Sequence, residues 1–347
     1  MTCLSVLFRC DGSPEIGLGH VVRCLALADE LAQAHGCQVA FAMRQGPLGH
    51  ELVRAGGYPA FTPPEDEGSF DYLGWLEGVA NQVEARALIL DVRDDLPAQA
   101  VGRLRELGLL IATLDDPSDR RREVDLAFYP PVPQAKRLDW AGFAGQLHLG
   151  WEWVVLRREF AHPPARVDHD RPVVLVTMGG SDPAGLTLRA VAALDRLLGD
   201  FDTLVVLGPG YSHHDELAAL LATTGRQFCL RRDVSDMSAL MAQADLAVAS
   251  FGVTAYELAA IGVSALYLCL TQDHAESASA FVEAGMADSL GVYTEVTAEM
   301  LAERVGALLA DAPRRARMGQ RARELVDGCG AERMGRAIAD RIRATDG

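Results

Sequence analysis

The residues with the clearest chemical capacity in this 347-residue chain come just after its first apolar run. In DGSPEIGLGHVVR, His20 follows Gly17 and Gly19 and stands three residues before Arg23. Glycines let a backbone approach a ligand with no Cβ in the way. A helix beginning here carries unpaired N–H groups and partial positive charge, a field that disfavours an imidazolium. A neutral imidazole can take up a proton near neutral pH, as a general base must. Arg23 then shares the helix face of His20. A capping or core histidine fits the same spacing, and the stretch by itself admits both.

Three later segments repeat the arrangement of polar groups after an apolar run. MGGSDPAG offers Gly179, Gly180, Ser181 and Asp182 at a helix start, a cradle for phosphate or sugar. Asp182 weighs against simple anion binding and suits a helix cap. SFGVTAYEL places Gly252, Val253 and Thr254 where backbone N–H and hydroxyl donors meet a diphosphate, with Glu257 one turn on for ribose hydroxyls. Thr254 and Glu257 also have the spacing of a capping box. LTQDHAES gathers Asp273, His274 and Glu276, either a sugar-facing cluster or exposed turn residues. It lacks the ligand set of a metal site. In the first half, Asp91 and Arg93 of LDVRDD, and Asp115 and Asp116 of LDDPSDRR, also follow apolar runs.

The elements that must position these groups alternate. Leu4–Cys10, Cys37–Met43, Ala87–Asp91, Leu110–Asp116 and Val124–Tyr129 read as buried strands, and Val21, Leu25, Ala28 and Ala32 recur at helical spacing. The segment RREFAHPPARVDHDRP breaks the pattern as a linker does, after which strands and helices alternate again. Such alternation predicts α/β architecture: two doubly wound parallel-sheet domains in tandem, spanning 1–158 and 170–328, around a cleft. A charged amphipathic helix from Ala331 to Arg343 falls within a final segment, 329–347, expected to cross back to the first domain. Ligands of such sheets lie outside the carboxyl ends of the strands, where all the residues above fall.

Composition narrows the classes. The formal net charge is −16, which argues against general nucleic-acid binding. Seven cysteines, mostly in apolar runs and without a CxxC pair, read as free thiols of a reducing compartment. The N-terminus turns polar too soon for a signal peptide, and no run has transmembrane length. A cytoplasmic protein is expected, with no cofactor and no metal; the sequence sets no oligomeric state.

Taken together, the segments resemble one family. FRCDGSPEIGLGHVVRCLALADEL resembles the opening of the PseG/SpsG proteins, UDP-sugar hydrolases of pseudaminic acid biosynthesis. LGWEWVVLRREF, VTMGGSDPAGLTL, MSALMAQADLAVASFGVTAYELAAIG and AGMADSLG follow in the family's order, so the resemblance runs over nearly the whole chain. The Gly–Thr–Glu region is shared with GT-B glycosyltransferases such as MurG. The resemblance implies a GT-B fold of two Rossmann-like domains, with the nucleotide held in the second. It implies metal-independent, inverting release of UDP and a free amino-deoxy sugar, in nonulosonic acid or surface-polysaccharide biosynthesis and flagellin glycosylation. The family's base falls on His20 and its ribose-binding glutamate on Glu257. The sugar side then comprises Asp11, Gly17, Gly19, Arg23, Asp91, Arg93, Asp273 and His274. Gly179 to Asp182, Val234, Met237 and Gly252 to Thr254 complete the nucleotide side.

Three departures stand out. The family's Asp-x-Tyr is Asp91-Val92-Arg93 here, its Gly-Gly-Ser-Thr is Phe251-Gly252-Val253-Thr254, and its Asn-Gln is Asp273-His274. Arg93 places a cation where the family has a phenol, which admits a substrate with a carboxylate or another anionic group. Asp273-His274 resembles a segment of MurG-like transferases. Glycosyl transfer is therefore the alternative to hydrolysis, and an inactive nucleotide-sugar-binding protein is the third reading.

Overall fold

The computed structural model describes residues 4–12, 18–44, 46–64, 70–232 and 234–345. The chain divides into two compact units. The first comprises the residues up to Pro131, Ala135–Arg158 and Cys329–Gly347; the second comprises Val132–Gln134 and Glu159–Gly328.

Seven parallel strands form the sheet of the first unit: β1 (Ser5–Cys10), β2 (Gln38–Ala42), β3 (Ala60–Phe61), β4 (Ala87–Asp91), β5 (Leu110–Leu114), β6 (Leu126–Tyr129) and β7 (Gln146–Leu149). Their order is β3-β2-β1-β4-β5-β6-β7. β1 and β4 are buried along their whole length, which is why they read as unbroken apolar runs. The helix α1 (Gly19–His35) follows β1 and turns Val21, Cys24, Leu27, Ala28 and Leu31 into the core. Ala331, Met334, Ile338 and Ile342 of the last helix, Gly330–Thr345, join that same core.

The second unit repeats the plan with six parallel strands: β8 (Val173–Thr177), β9 (Asp202–Val206), β10 (Cys229–Arg231), β11 (Leu246–Ser250), β12 (Ser264–Cys269) and β13 (Ala287–Val292). Their order is β10-β9-β8-β11-β12-β13. Three of its helices follow expected site residues or carry them in the first turn: α2 (Leu186–Asp195), α3 (Val253–Ile261) and α4 (Gln272–Glu283). Both sheets are doubly wound. In each, the strand order reverses once, between β1 and β4 and between β8 and β11. Open α/β sheets bind their ligands at such points.

Four strands had no counterpart in the sequence reading: β3, β7, β10 and β13. β3 has two residues and β10 three, while β7 is largely exposed and β13 carries Asp288 and Gly291. Among the described residues, no helix is long and apolar enough to cross a membrane. Cys10, Cys24, Cys37 and Cys269 are buried and outside any disulfide, whereas Cys229 is exposed.

Candidate active site

His20 is the second residue of α1, and Leu18 occupies the cap position. The capping alternative for His20 is therefore not realised; its ring instead meets the end of β4. Nδ1 lies 2.7 Å from Asp91 Oδ1. Asp91 is fully buried, and Arg23 grips it from the same helix, with Nε 2.5 Å from Oδ2 and Nη2 2.5 Å from Oδ1. The Cys24 thiol reaches Oδ2 at 3.6 Å. Burial alone would push the Asp91 carboxyl up, but Arg23 and then His20 outweigh it and hold it well below the usual carboxylate range. An ionised carboxylate only accepts, so Nδ1 of a neutral ring donates to Asp91. That tautomer leaves the Nε2 lone pair available, and no hydrogen bond engages Nε2 among the described residues. A buried carboxylate that fixes a histidine tautomer can serve as the orienting half of a general-base pair.

Asp91 and Asp11 were expected to face the sugar; both line the cavity at His20, with oxygens already engaged by donors of the protein. Both Asp91 oxygens serve His20 and Arg23. Asp11 is 8% exposed and accepts from the Arg44 backbone N–H (2.7 Å) and from Arg9 Nη2 (2.6 Å). Arg9 is a residue the sequence reading passed over. It is fully buried near the carboxyl end of β1 and donates to Tyr72 Oη, Asp11 and Asp94. Those acceptors hold its guanidinium above its ordinary value in spite of the burial that opposes it. Its signal was a charged side chain inside an apolar strand pattern, which demands buried partners.

Arg120 is a second such residue. It pairs with Asp116 at 2.8 Å and donates to the carbonyls of Val92, Asp94 and Leu96, pinning the loop that follows β4. That loop and the end of β1 enclose a cavity of about 80 Å³ lined by Asp11, His20, Arg44, Asp91, Val92, Arg93 and Asp94. Gly19 opens α1 beside His20, and Gly17 lies outside the described residues.

In the second unit, the loops after β8 and β11 come together: a Cβ on Gly179 would stand 3.6 Å from Ser250 Oγ. Gly179 has φ +77°, in the left-handed region that favours glycine. Gly180 and Ser181 are exposed on this turn. Of the two readings for Asp182, nucleotide contact and helix cap, the structure displays the cap on α2. Its Oδ1 accepts from the Leu186 N–H and its Oδ2 from the Thr187 N–H, each at 2.8 Å.

The expected capping box of Thr254 and Glu257 does not form. The β11 ladder extends to Phe251, whose N–H bonds Leu268, so α3 starts only at Val253, with Gly252 as its cap and no side-chain bond there. Thr254 is thus half-buried inside the first turn, and Glu257 is buried further along α3. In the next loop, Thr271 caps α4 by accepting from the His274 N–H, and Asp273 sits exposed in the first turn. The His274 ring lies 6.2 Å from that of Phe251, and burial pushes its imidazole below the ordinary value. Val234 is half-buried, and Met237 opens a short helix capped by Asp236.

No protein-family profile matches the chain. It is 26% identical to the spore coat polysaccharide biosynthesis protein SpsG of Bacillus subtilis, over 95% of this chain and 96% of that protein. It is 28% identical to a UDP-N-acetylglucosamine–N-acetylmuramyl-(pentapeptide) pyrophosphoryl-undecaprenol N-acetylglucosamine transferase of Acidithiobacillus ferrooxidans, over 93% of this chain and 94% of that one. Among solved structures, Acinetobacter baumannii MurG superposes with a TM-score of 0.75 at 17% identity, covering 97% of this chain and 99% of that one. The Anabaena protein Alr3699/HepE, solved in complex with UDP, superposes with a TM-score of 0.65 at 13% identity, covering 98% of this chain and all of that one. The two doubly wound parallel-sheet units are thus the fold of MurG, the GT-B architecture expected from the sequence.

Proposed function

We propose that the chain is a nucleotide-sugar-dependent glycosyltransferase in which His20 is the general base. The observation that carries this reading is the buried Asp91 carboxylate, which orients His20 at the strand-order reversal of the first sheet and leaves Nε2 open. An acceptor hydroxyl gives its proton to Nε2. Its oxygen attacks the anomeric carbon while the bond to the diphosphate oxygen breaks, so UDP leaves and the anomeric configuration inverts. Within the second unit, the glycine turn at Gly179–Gly180 and the start of α3 offer donors of the kind a diphosphate takes, and Glu257 offers a carboxylate for ribose hydroxyls. The fold shared with MurG and with a protein solved with UDP, and the 28% identity to a transferase, support transfer.

Hydrolysis is the second reading, in which water replaces the acceptor and a free amino-deoxy sugar is released. It is favoured by the resemblance of the opening segment Phe8–Leu31 to UDP-sugar hydrolases. Incubation with a panel of UDP-, CMP- and GDP-sugars separates the readings: a hydrolase releases nucleotide and free sugar with no acceptor present, and a transferase is nearly silent until one is added. Binding of UDP with no product under either condition would leave a binding protein. Removing a general base costs about 10²–10⁴ in rate. His20→Gln is therefore expected to lose turnover on that scale while UDP affinity, read by calorimetry, stays at the wild-type level. Wild-type turnover in this variant would sink the assignment.

A further inference from the structure

We infer that the acceptor bound beside His20 carries a carboxylate or a phosphate, held by Arg93 and Arg44. The inference rests on the reading of His20 as the base and names the class of molecule that base serves.

The cavity at His20 is lined by five charged side chains besides the histidine: Asp11, Asp91, Asp94, Arg44 and Arg93. The three carboxylates are each met from inside the protein. Arg23 takes both oxygens of Asp91, and Arg9 bonds Asp11 at 2.6 Å and Asp94 at 2.7 Å. Tyr72 adds a further hydrogen bond to Asp94. These acids therefore have little accepting capacity left to offer a ligand.

The two arginines are differently placed. Arg93 gives one N–H to Asp115 at 3.2 Å, and its remaining donors make no hydrogen bond among the described residues. Arg44 gives Nη1 to Asp95, and its Nε and Nη2 are likewise unused. The Arg44 guanidinium stacks over Phe70 at 4.4 Å and Tyr72 at 4.9 Å, which holds its plane and leaves an edge for a ligand.

Asp94 lies 3.6 Å from Arg44 Nη1 as an ion-pair neighbour, and the two hydrogen-bonding partners, Asp95 and Asp115, are replaceable. The side chain of Asp95 is 76% exposed, and an ion pair of that kind is worth little. Asp115 takes a single N–H of Arg93 at 3.2 Å, and its side chain is 34% exposed. A planar guanidinium with a free edge matches the geometry of carboxylate and phosphate oxygens.

The test uses the full chain with its nucleotide site saturated by UDP. The probes are D-glucuronate, glucose 1-phosphate and neutral D-glucose, followed by calorimetry. At least one anion is expected to bind about tenfold or more tightly than glucose, the scale of a hydrogen bond to a charged group. A preference for glucuronate identifies the carboxylate, and one for glucose 1-phosphate the phosphate. Arg93→Gln and Arg44→Gln should each erase most of the preference, Arg93→Lys should recover part of it, and Arg103→Gln on a remote helix should leave it intact. UDP affinity reports that each variant is folded. His20→Gln should keep the anion preference, so an error about the base is distinguishable from an error about the acceptor. Equal or absent binding of all three probes, or a preference that survives both glutamine variants, overturns the proposal.

Discussion

Asp91 receives Arg23, His20 and a thiol on one buried carboxylate. Removing its charge leaves the Arg23 guanidinium without its counter-ion, and breaking a buried pair in this way costs about 3–5 kcal/mol. Asp91→Asn is therefore expected to lower stability on that scale at neutral pH in urea unfolding, and to lower turnover with it. The pH dependence has a definite sign. The Asp91 carboxyl is depressed in the folded protein, so its contribution is fully present above the unfolded value, near 4, and fades as pH falls below that. The stability gap between Asp91→Asn and the wild type should accordingly narrow only below about pH 4; a gap that closes between pH 5 and 7 would contradict the ionic account. His20, Arg23 and Asp91 were each legible in the sequence as polar groups after strands. Their pairing was not, because 71 residues separate His20 from Asp91 and only the adjacency of β1 and β4 joins them. Arg44 stayed hidden because its role comes from Phe70 and Tyr72, which are distant in sequence.

At the scale of elements, the loops after β8 and β9 are built against each other. Gly210 N–H bonds the Gly180 carbonyl, and a Cβ on Gly208 would stand 2.4 Å from the carbonyl oxygens of both Gly179 and Gly180. Gly208→Ala must therefore push the Gly179–Gly180 turn outward. If that turn cradles the diphosphate, UDP affinity should fall several-fold in calorimetry with the fold retained; unchanged affinity would remove the turn from the nucleotide site. Asp182 provides a separable control, since it holds the start of α2. Asp182→Ala should cost about 1–2 kcal/mol in unfolding experiments, and Asp182→Asn less, because asparagine tolerates the φ of +45° and keeps one acceptor. Helix caps of this kind are local and were legible as an aspartate just ahead of an apolar run. The position of the first turn of α3 was not, since it depends on how far the β11–β12 ladder runs, a pairing between strands that no local spacing records.

Across the whole molecule, the first unit is not one stretch of chain. Its core is closed by Ala331, Met334, Ile338 and Ile342, which pack with Cys24, Leu27 and Leu31 of α1 although the second unit intervenes in sequence. A chain ending at Gly328 should lose hydrogen-exchange protection throughout β1 to β7 while β8 to β13 keep theirs, and a peptide of residues 329–347 added in trans should restore it. Full protection of β1 without the last helix would show the helix to be an accessory. During synthesis the consequence is one of timing. The apolar stripe of α1 leaves the ribosome before the second unit, whereas the helix that covers it leaves only after that unit. A nascent chain must therefore carry that uncovered stripe for as long as the second unit takes to be translated.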